Sequence, residues 1–236
     1  MMKRFLFTAA FTAALVWQIP TISATCHDNM IWNSESEAQE VNNTFFRSRA
    51  MLKMHAKELG IDIKGKDEQT LASEVYESML VRAAKELNIE LEGKSKDELT
   101  EEIHHERVIK KAVELDIETD GKTPDAIAQE VYEIIMKQKA IELGVSVQGK
   151  DFEAIETEVK NAALTKRAEE LGIMTEGKDV QQIKKEIYEA QVIQSAEQLD
   201  IEIENKDVEQ ILDEIITDHY EQAKELQMYP FNHARS

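Results

Sequence analysis

The sequence predicts an all-α protein, an elongated tandem array of 28-residue helix–connector repeats after a signal peptide. Three observations predict it. Leu59, Leu87, Leu115, Leu143, Leu171 and Leu199 recur every 28 residues, and a fixed internal period of this size marks a repeat architecture. Each leucine lies three residues after an alanine (Ala56, Ala84, Ala112, Ala140, Ala168, Ala196). Each lies two residues before a β-branched residue (Ile61, Ile89, Ile117, Val145, Ile173, Ile201). The 236 residues contain only 8 Gly and 3 Pro, too few for a fold built of tight turns.

Four segments follow in order. Residues 1–24 read as a secretory signal. Lys3 and Arg4 supply the positive start, 5–17 is apolar but too short to span a bilayer, and Ile22, Ser23 and Ala24 form a cleavage region. No further apolar run is long enough to cross a membrane, so no span remains after cleavage. Residues 25–59 are an N-terminal segment with a capping helix, read from Ser34 to Leu59 and carrying Phe45, Phe46, Met51, Leu52 and Met54. Cys26, the single cysteine, excludes an internal disulfide, so packing must stabilise the chain. Asn42 heads an N-x-Thr glycosylation acceptor, meaningful only in a eukaryotic secretory route. Residues 60–227 hold six repeats, and 228–236 form a tail.

Within one unit, residues 67–94 (DEQTLASEVYESMLVRAAKELNIELEGK), the start is Asp67. Its counterparts are Ser95, Thr123, Asp151, Asp179 and Asp207, all residues whose side chains accept bonds from the free N–H groups of a helix start. Ser95 and Glu98 have capping-box spacing, and Pro124 sits at the first helical position, where a missing N–H costs nothing. About twenty residues free of Gly and Pro then run to the leucine, enough for a helix of about 30 Å. The helix ends at Asn88 or its counterparts Gly60, Asp116, Gly144, Gly172 and Asp200, residues that tolerate the left-handed conformation. In the connector, Ile89 and Leu91 alternate with Glu90 and Glu92, an extended pattern. Gly93 or its counterparts, including Asn205, make the second bend.

The apolar residues inside each helix change sides half-way. On a helical wheel Leu71 and Val75 fall near 0° and 40°, whereas Leu80, Ala84 and Leu87 fall between about 160° and 220°. Each helix therefore belongs to two small cores, its first half packing back on the preceding unit and its second half on the next. A break near Glu77 and Ser78, giving two short helices, would serve the same packing. Either way Leu80, Ala84, Leu87, Ile89 and Leu91 meet Leu99 and Ile103. One unit alone is marginal, so neighbours support each other and the ends fray first.

Residues 56–66, AKELGIDIKGK, followed by Leu71 and Val75, resemble the SAP-type helix–extended–helix motif, and are similar to LEM-like and Rho N-terminal modules. The pattern recurs across most of 51–220. The resemblance implies the helix–connector–helix geometry and, in SAP modules, DNA binding through basic residues. This chain places Glu74, Glu102, Glu130, Glu158, Glu186 and Glu214 on the second helix and carries a net charge of −19. Affinity for nucleic acid comes largely from Lys and Arg, so the charge disfavours that role, and anionic lipid likewise.

Those six glutamates match six lysines at fixed spacing, Lys66, Lys94, Lys122, Lys150, Lys178 and Lys206. A residue repeated identically in every unit serves the unit, as an ion pair beside each small core. Asp116, Glu118, Asp120 and Gly121 have the spacing of positions 1, 3, 5 and 6 of a calcium loop, but position 12 is Ile127 where a bidentate Glu belongs. They are the only metal candidates. The histidines lack zinc spacing, and His104 occupies the slot of Tyr76, Tyr132 and Tyr188, which favours packing. No nucleophile–base pattern, phosphate loop or dinucleotide fingerprint is present, so neither enzyme chemistry nor a cofactor is indicated. The sequence points to an exported acidic repeat protein with a structural or protein-interaction role, its partner an unknown protein or cell-wall component, secreted or in the cell envelope. The alternative is a secreted low-affinity calcium-binding protein.

Overall fold

The structure, a computed structural model, describes residues 48–232. The features read at the N-terminus (signal segment, Cys26, Asn42, Phe45 and Phe46) lie outside the described residues. The described residues form helices and connectors without strands. In order these are α1 (Arg49–Glu58), α2 (Glu68–Glu86), α3 (Lys96–Glu114), α4 (Pro124–Glu142), α5 (Phe152–Glu170), α6 (Val180–Gln198), α7 (Val208–Asp218) and α8 (Tyr220–Glu225).

Five helices, α2 to α6, are each one continuous run of 19 residues, so the repeat does not break at Glu77 and Ser78. Their starts obey the capping rule. Asp67 accepts from Thr70 N at 2.9 Å, Ser95 from Glu98 N at 3.2 Å and Thr123 from Ala126 N at 3.3 Å. Reciprocal capping boxes close at Ser95 with Glu98, Asp179 with Gln182 and Asp207 with Gln210. The carboxyls of Asp67 and Glu98 are held below their ordinary range chiefly by the backbone N–H groups they accept from.

The recurrent Ala–Leu–Ile triplet has a single physical meaning at the helix end. In α2, Leu87 is the C-cap, and Asn88 follows with φ +59°. Ile89 N then donates to Ala84 O at 2.8 Å, and Asn88 N to Lys85 O at 3.2 Å. This is the Schellman pairing, which satisfies carbonyls that a helix end leaves open. The same closure joins Ile61 to Ala56, Val145 to Ala140 and Ile173 to Ala168, each at 2.8 Å. All six alanines are fully buried. At Gly144, φ is +70°, and a Cβ built there would meet nothing within 4 Å. The preference at this position is therefore conformational, which explains why Asn88, Asp116 and Asp200 also fill it.

Packing follows the two-core scheme. Leu52 and Ala56 of α1 cluster with Leu71, Ala72 and Val75 of α2. Leu80 and Ala84 from the other half of α2 cluster with Ile89, Leu99 and Ile103, with Leu87 packed alongside. Further clusters join α3 to α4, α4 to α5 and α5 to α6. The all-α tandem array is thus present.

The first and last parts of the array meet. Helix α1 packs on α7, and Ala50 and Met54 share one cluster with Val192, Leu212, Ile216, Tyr220 and Met228. Lys53 Nζ reaches Asp213 Oδ1 at 2.5 Å. Lys57 Nζ donates to the carbonyls of Ile216 and Thr217 at 2.9 and 3.0 Å, and lies 4.9 Å from the centre of the Tyr220 ring. A cation at the C-terminal end of α7 meets open carbonyls and the negative end of the helix dipole. The terminal elements are clasped together, contrary to a pair of loose ends. Two departures from the repeat enable this. The capping helix begins at Arg49, because Ser48 is extended (φ −159°) and caps it, so α1 matches only the second half of a standard helix. At the other end the helix is interrupted at His219, and α8 closes its own Schellman turn through Met228 N and Ala223 O at 2.9 Å.

Two outcomes follow from this packing. Ala140→Leu, at a site with no free volume, lowers stability by about 1–3 kcal/mol through overpacking, measured as a fall in the urea midpoint. Met54→Asp opens the clasp: small-angle scattering registers a larger radius of gyration while far-UV circular dichroism keeps its helical signal.

Candidate interaction surface

Each Glu of the repeated set meets the Lys eight residues before it. Lys66 pairs with Glu74, Lys94 with Glu102, Lys122 with Glu130 and Lys150 with Glu158, while Lys178–Glu186 and Lys206–Glu214 are 2.5 Å apart. The lysine closes each connector and the glutamate sits in the first half of the helix that follows, so the pair ties the connector to its own helix. Both members are only partly covered, and such pairs are worth about 0–1 kcal/mol each. They are already matched with one another, which makes them a poor ladder for an outside ligand. The six leucines close the helices as C-caps.

A second class of contact is not visible in the repeat pattern alone. Tyr76 Oη lies 3.0 Å from Thr100 Oγ1, linking α2 to α3. Tyr132 donates to Glu156 across α4 and α5, and Tyr188 to Glu209 across α6 and α7. The Tyr132 ring stands edge-on to Phe152 with centres 5.6 Å apart, and Tyr188 edge-on to Tyr229 at 6.0 Å. The slot shared by Tyr76, Tyr132 and Tyr188 was legible as a packing slot, but its partners lie 24 or 21 residues away. In α3 the slot holds His104, whose buried Nδ1 has no hydrogen-bond partner among the described residues. Burial, then the bond to Glu156, pushes the Tyr132 hydroxyl up to about 12. Burial and Glu209 raise Tyr188 further. Glu156 is held low by Lys160, at 2.6 Å, and by Tyr132.

Among the described residues no group of three His, Cys, Asp or Glu side chains is placed to hold a metal ion. Asp116, Glu118 and Asp120 are therefore not drawn together. Asp116 is spent on the left-handed turn at φ +56°. Among the described residues no helix is long and apolar enough to cross a membrane.

Exposed positions outside the repeat pattern vary between units. On each helix one register position near the C-terminal end is solvent-exposed and changes from unit to unit: Lys57, Lys85, Val113, Ile141, Glu169, Glu197. The series runs from cationic through apolar to anionic along the array. Val113 and Ile141 are 66% and 74% exposed. A shallow, open depression lies between Leu59 and the Ser78, Val81, Arg82 and Lys85 face of α2, flanked by Glu77 and Glu86. Comparison with protein-family models, with curated proteins and with solved structures finds no match.

The tyrosine links make stability depend on alkaline pH. Tyr132 is raised in the fold, so its contribution is complete below about pH 10, the unfolded value. It falls as pH rises toward about 12. Tyr132→Phe loses about 1 kcal/mol at neutral pH and flattens the decline above pH 10, read from urea titrations at stepped pH.

Proposed function

We propose that this chain is an exported, acidic helical-repeat protein that works by binding another macromolecule, a partner protein or a wall component, in the cell envelope or outside the cell. One observation carries the reading. The repeated charges and caps are matched inside the units, whereas one exposed register position varies from Lys to Val and Ile to Glu. In repeat proteins contacts between neighbouring units hold the stack, and the extended surface that the stack builds is what meets partners. The positive start, apolar core and cleavage region of residues 1–24 support export. The net charge of −19 weighs against nucleic acid. On this reading the protein carries out no chemistry of its own.

Two measurements test it. Edman sequencing of the exported protein begins at Thr25, and recovery of an uncleaved chain in the cytoplasm overturns the location. Cross-linking of the mature protein in its own envelope yields one dominant adduct, and a smear proportional to abundance overturns the interaction role.

A further inference from the structure

We propose that the junction between α5 and α6 is a gate, the place where the array opens while its other helix pairs stay packed.

The two helices come close along less of their length than any other successive pair of full-length helices. Their shared cluster is thin. Ala168, Ile183 and Ile187 are its buried members, and Leu164, Leu171 and Ile173 are only partly covered beside them. Ile187 is 8% exposed, whereas its counterparts Val75, Val131 and Ile215 are at 0% and Ile103 and Val159 at 2%. A core that leaves one of its members in touch with water has less apolar area to expose on opening.

The bridge that ties other helices together is replaced at the same place. In α2, α4 and α6 the slot holds Tyr76, Tyr132 and Tyr188, each bonded to the next helix. In α5 it holds Lys160, which bonds Glu156 on its own helix at 2.6 Å. The receiving position, Thr100 on α3 and Glu156 on α5, is Lys184 on α6. Lysine has no acceptor atom, so two of them cannot reproduce the bond. Arg167 Nε does reach the Gln191 side-chain oxygen across the junction at 3.1 Å. Both side chains are partly in solvent, so water competes for that bond. Helix α3 also departs from tyrosine, with His104 in the slot, yet its core with α4 covers Val108 and Val131 at 1% and 0% and adds Ile109, Ile134 and Ile135.

Both helices are better anchored on their far sides. Tyr132 ties α5 to α4 through Glu156 and Phe152, and Ile155 and Val159 pack with Ala140. Helix α6 gives Val192, Ala196 and Leu199 to the cluster that also holds Ala50 and Met54. Stability is not uniform within a fold, and the places with few buried apolar contacts open first. The meeting of the ends gives α6 to α8 two connections to the rest, the junction with α5 and the clasp with α1. The clasp has the larger core, so the gate lies inside the array and not where its ends meet. The connector after α5 keeps the two sides tethered while Ala168, Ile183 and Ile187 come into water.

The test follows buried thiols in the full mature chain carrying Cys26→Ser, which removes the single native cysteine. Ile187→Cys is compared with Val131→Cys, Val159→Cys and Ile215→Cys for the rate of reaction with a water-soluble disulfide reagent, helical circular dichroism being unchanged in each. Ile187→Cys reacts about tenfold faster than the others or more. Its rate rises with urea less steeply than global unfolding does, because a gate exposes only part of the buried surface. Lys160→Tyr with Lys184→Glu restores a bridge, slows Ile187→Cys and leaves Val131→Cys unchanged. Equal rates at the four sites, a faster Ile215→Cys, or no slowing by the restored bridge overturns the gate. A rate at Ile187→Cys indifferent to urea also overturns it, as standing exposure without opening, and so does a urea slope equal to that of global unfolding.

Discussion

The structure depends on the close approach made where each helix ends. The left-handed residue after the leucine cap folds the chain back so that the next β-branched residue bonds to, and lies over, an alanine three residues inside the helix end. A larger side chain at that alanine would hold the connector off, and the following helix with it. The Schellman bond satisfies carbonyls that would otherwise be buried without partners. It also fixes the direction in which the connector leaves. Because the connector always has the same length and a second left-handed bend, the next helix starts against the same cluster. One local geometry, copied six times, therefore gives every helix the same exit into its connector.

Much of this was legible in the sequence, and the boundary of legibility is physical. Caps, helix ends and the change of apolar face half-way along Leu71 to Leu87 are written in residues close together in the chain. The Lys66–Glu74 pairing spans eight residues, within reach of a single connector. The meeting of the ends was not legible. The angle between neighbouring helices depends on how side chains such as Leu80 and Ile103 interlock, and small angles sum over the array. One sign of closure did exist, the ending at Ala223, which comes one residue early. It has no meaning until the two ends are seen to touch. The tyrosine links failed for the same reason, since Tyr132 finds Glu156 only once the handedness of packing is known.

Closure changes the energetics of a repeat protein. In an open array the terminal units have one neighbour and are the first to unfold. Here the first and last helices supply each other's missing neighbour, and the cluster they share recruits Tyr220, Met228 and Tyr229 from beyond the last repeat. It draws on α1, α6, α7 and α8, whereas the interior clusters join only two helices each. The contact also joins residues some 160 positions apart. The ion pair of Lys53 and Asp213 contributes little alone, being partly in solvent. The buried Met54 and the Lys57 contacts to helix-end carbonyls contribute more, since those carbonyls have no helical donor of their own.

A closed, internally matched frame leaves few groups free to engage anything else, and that narrows where function resides. The repeated lysines, glutamates, leucines and alanines are all occupied in building units. The variable register is occupied only at Lys57, by the clasp. From Lys85 to Glu197 the same position stays open and passes from positive through apolar to negative. A position that changes character from unit to unit, while the caps, alanines and ion pairs beside it do not, is one that the fold leaves free to vary.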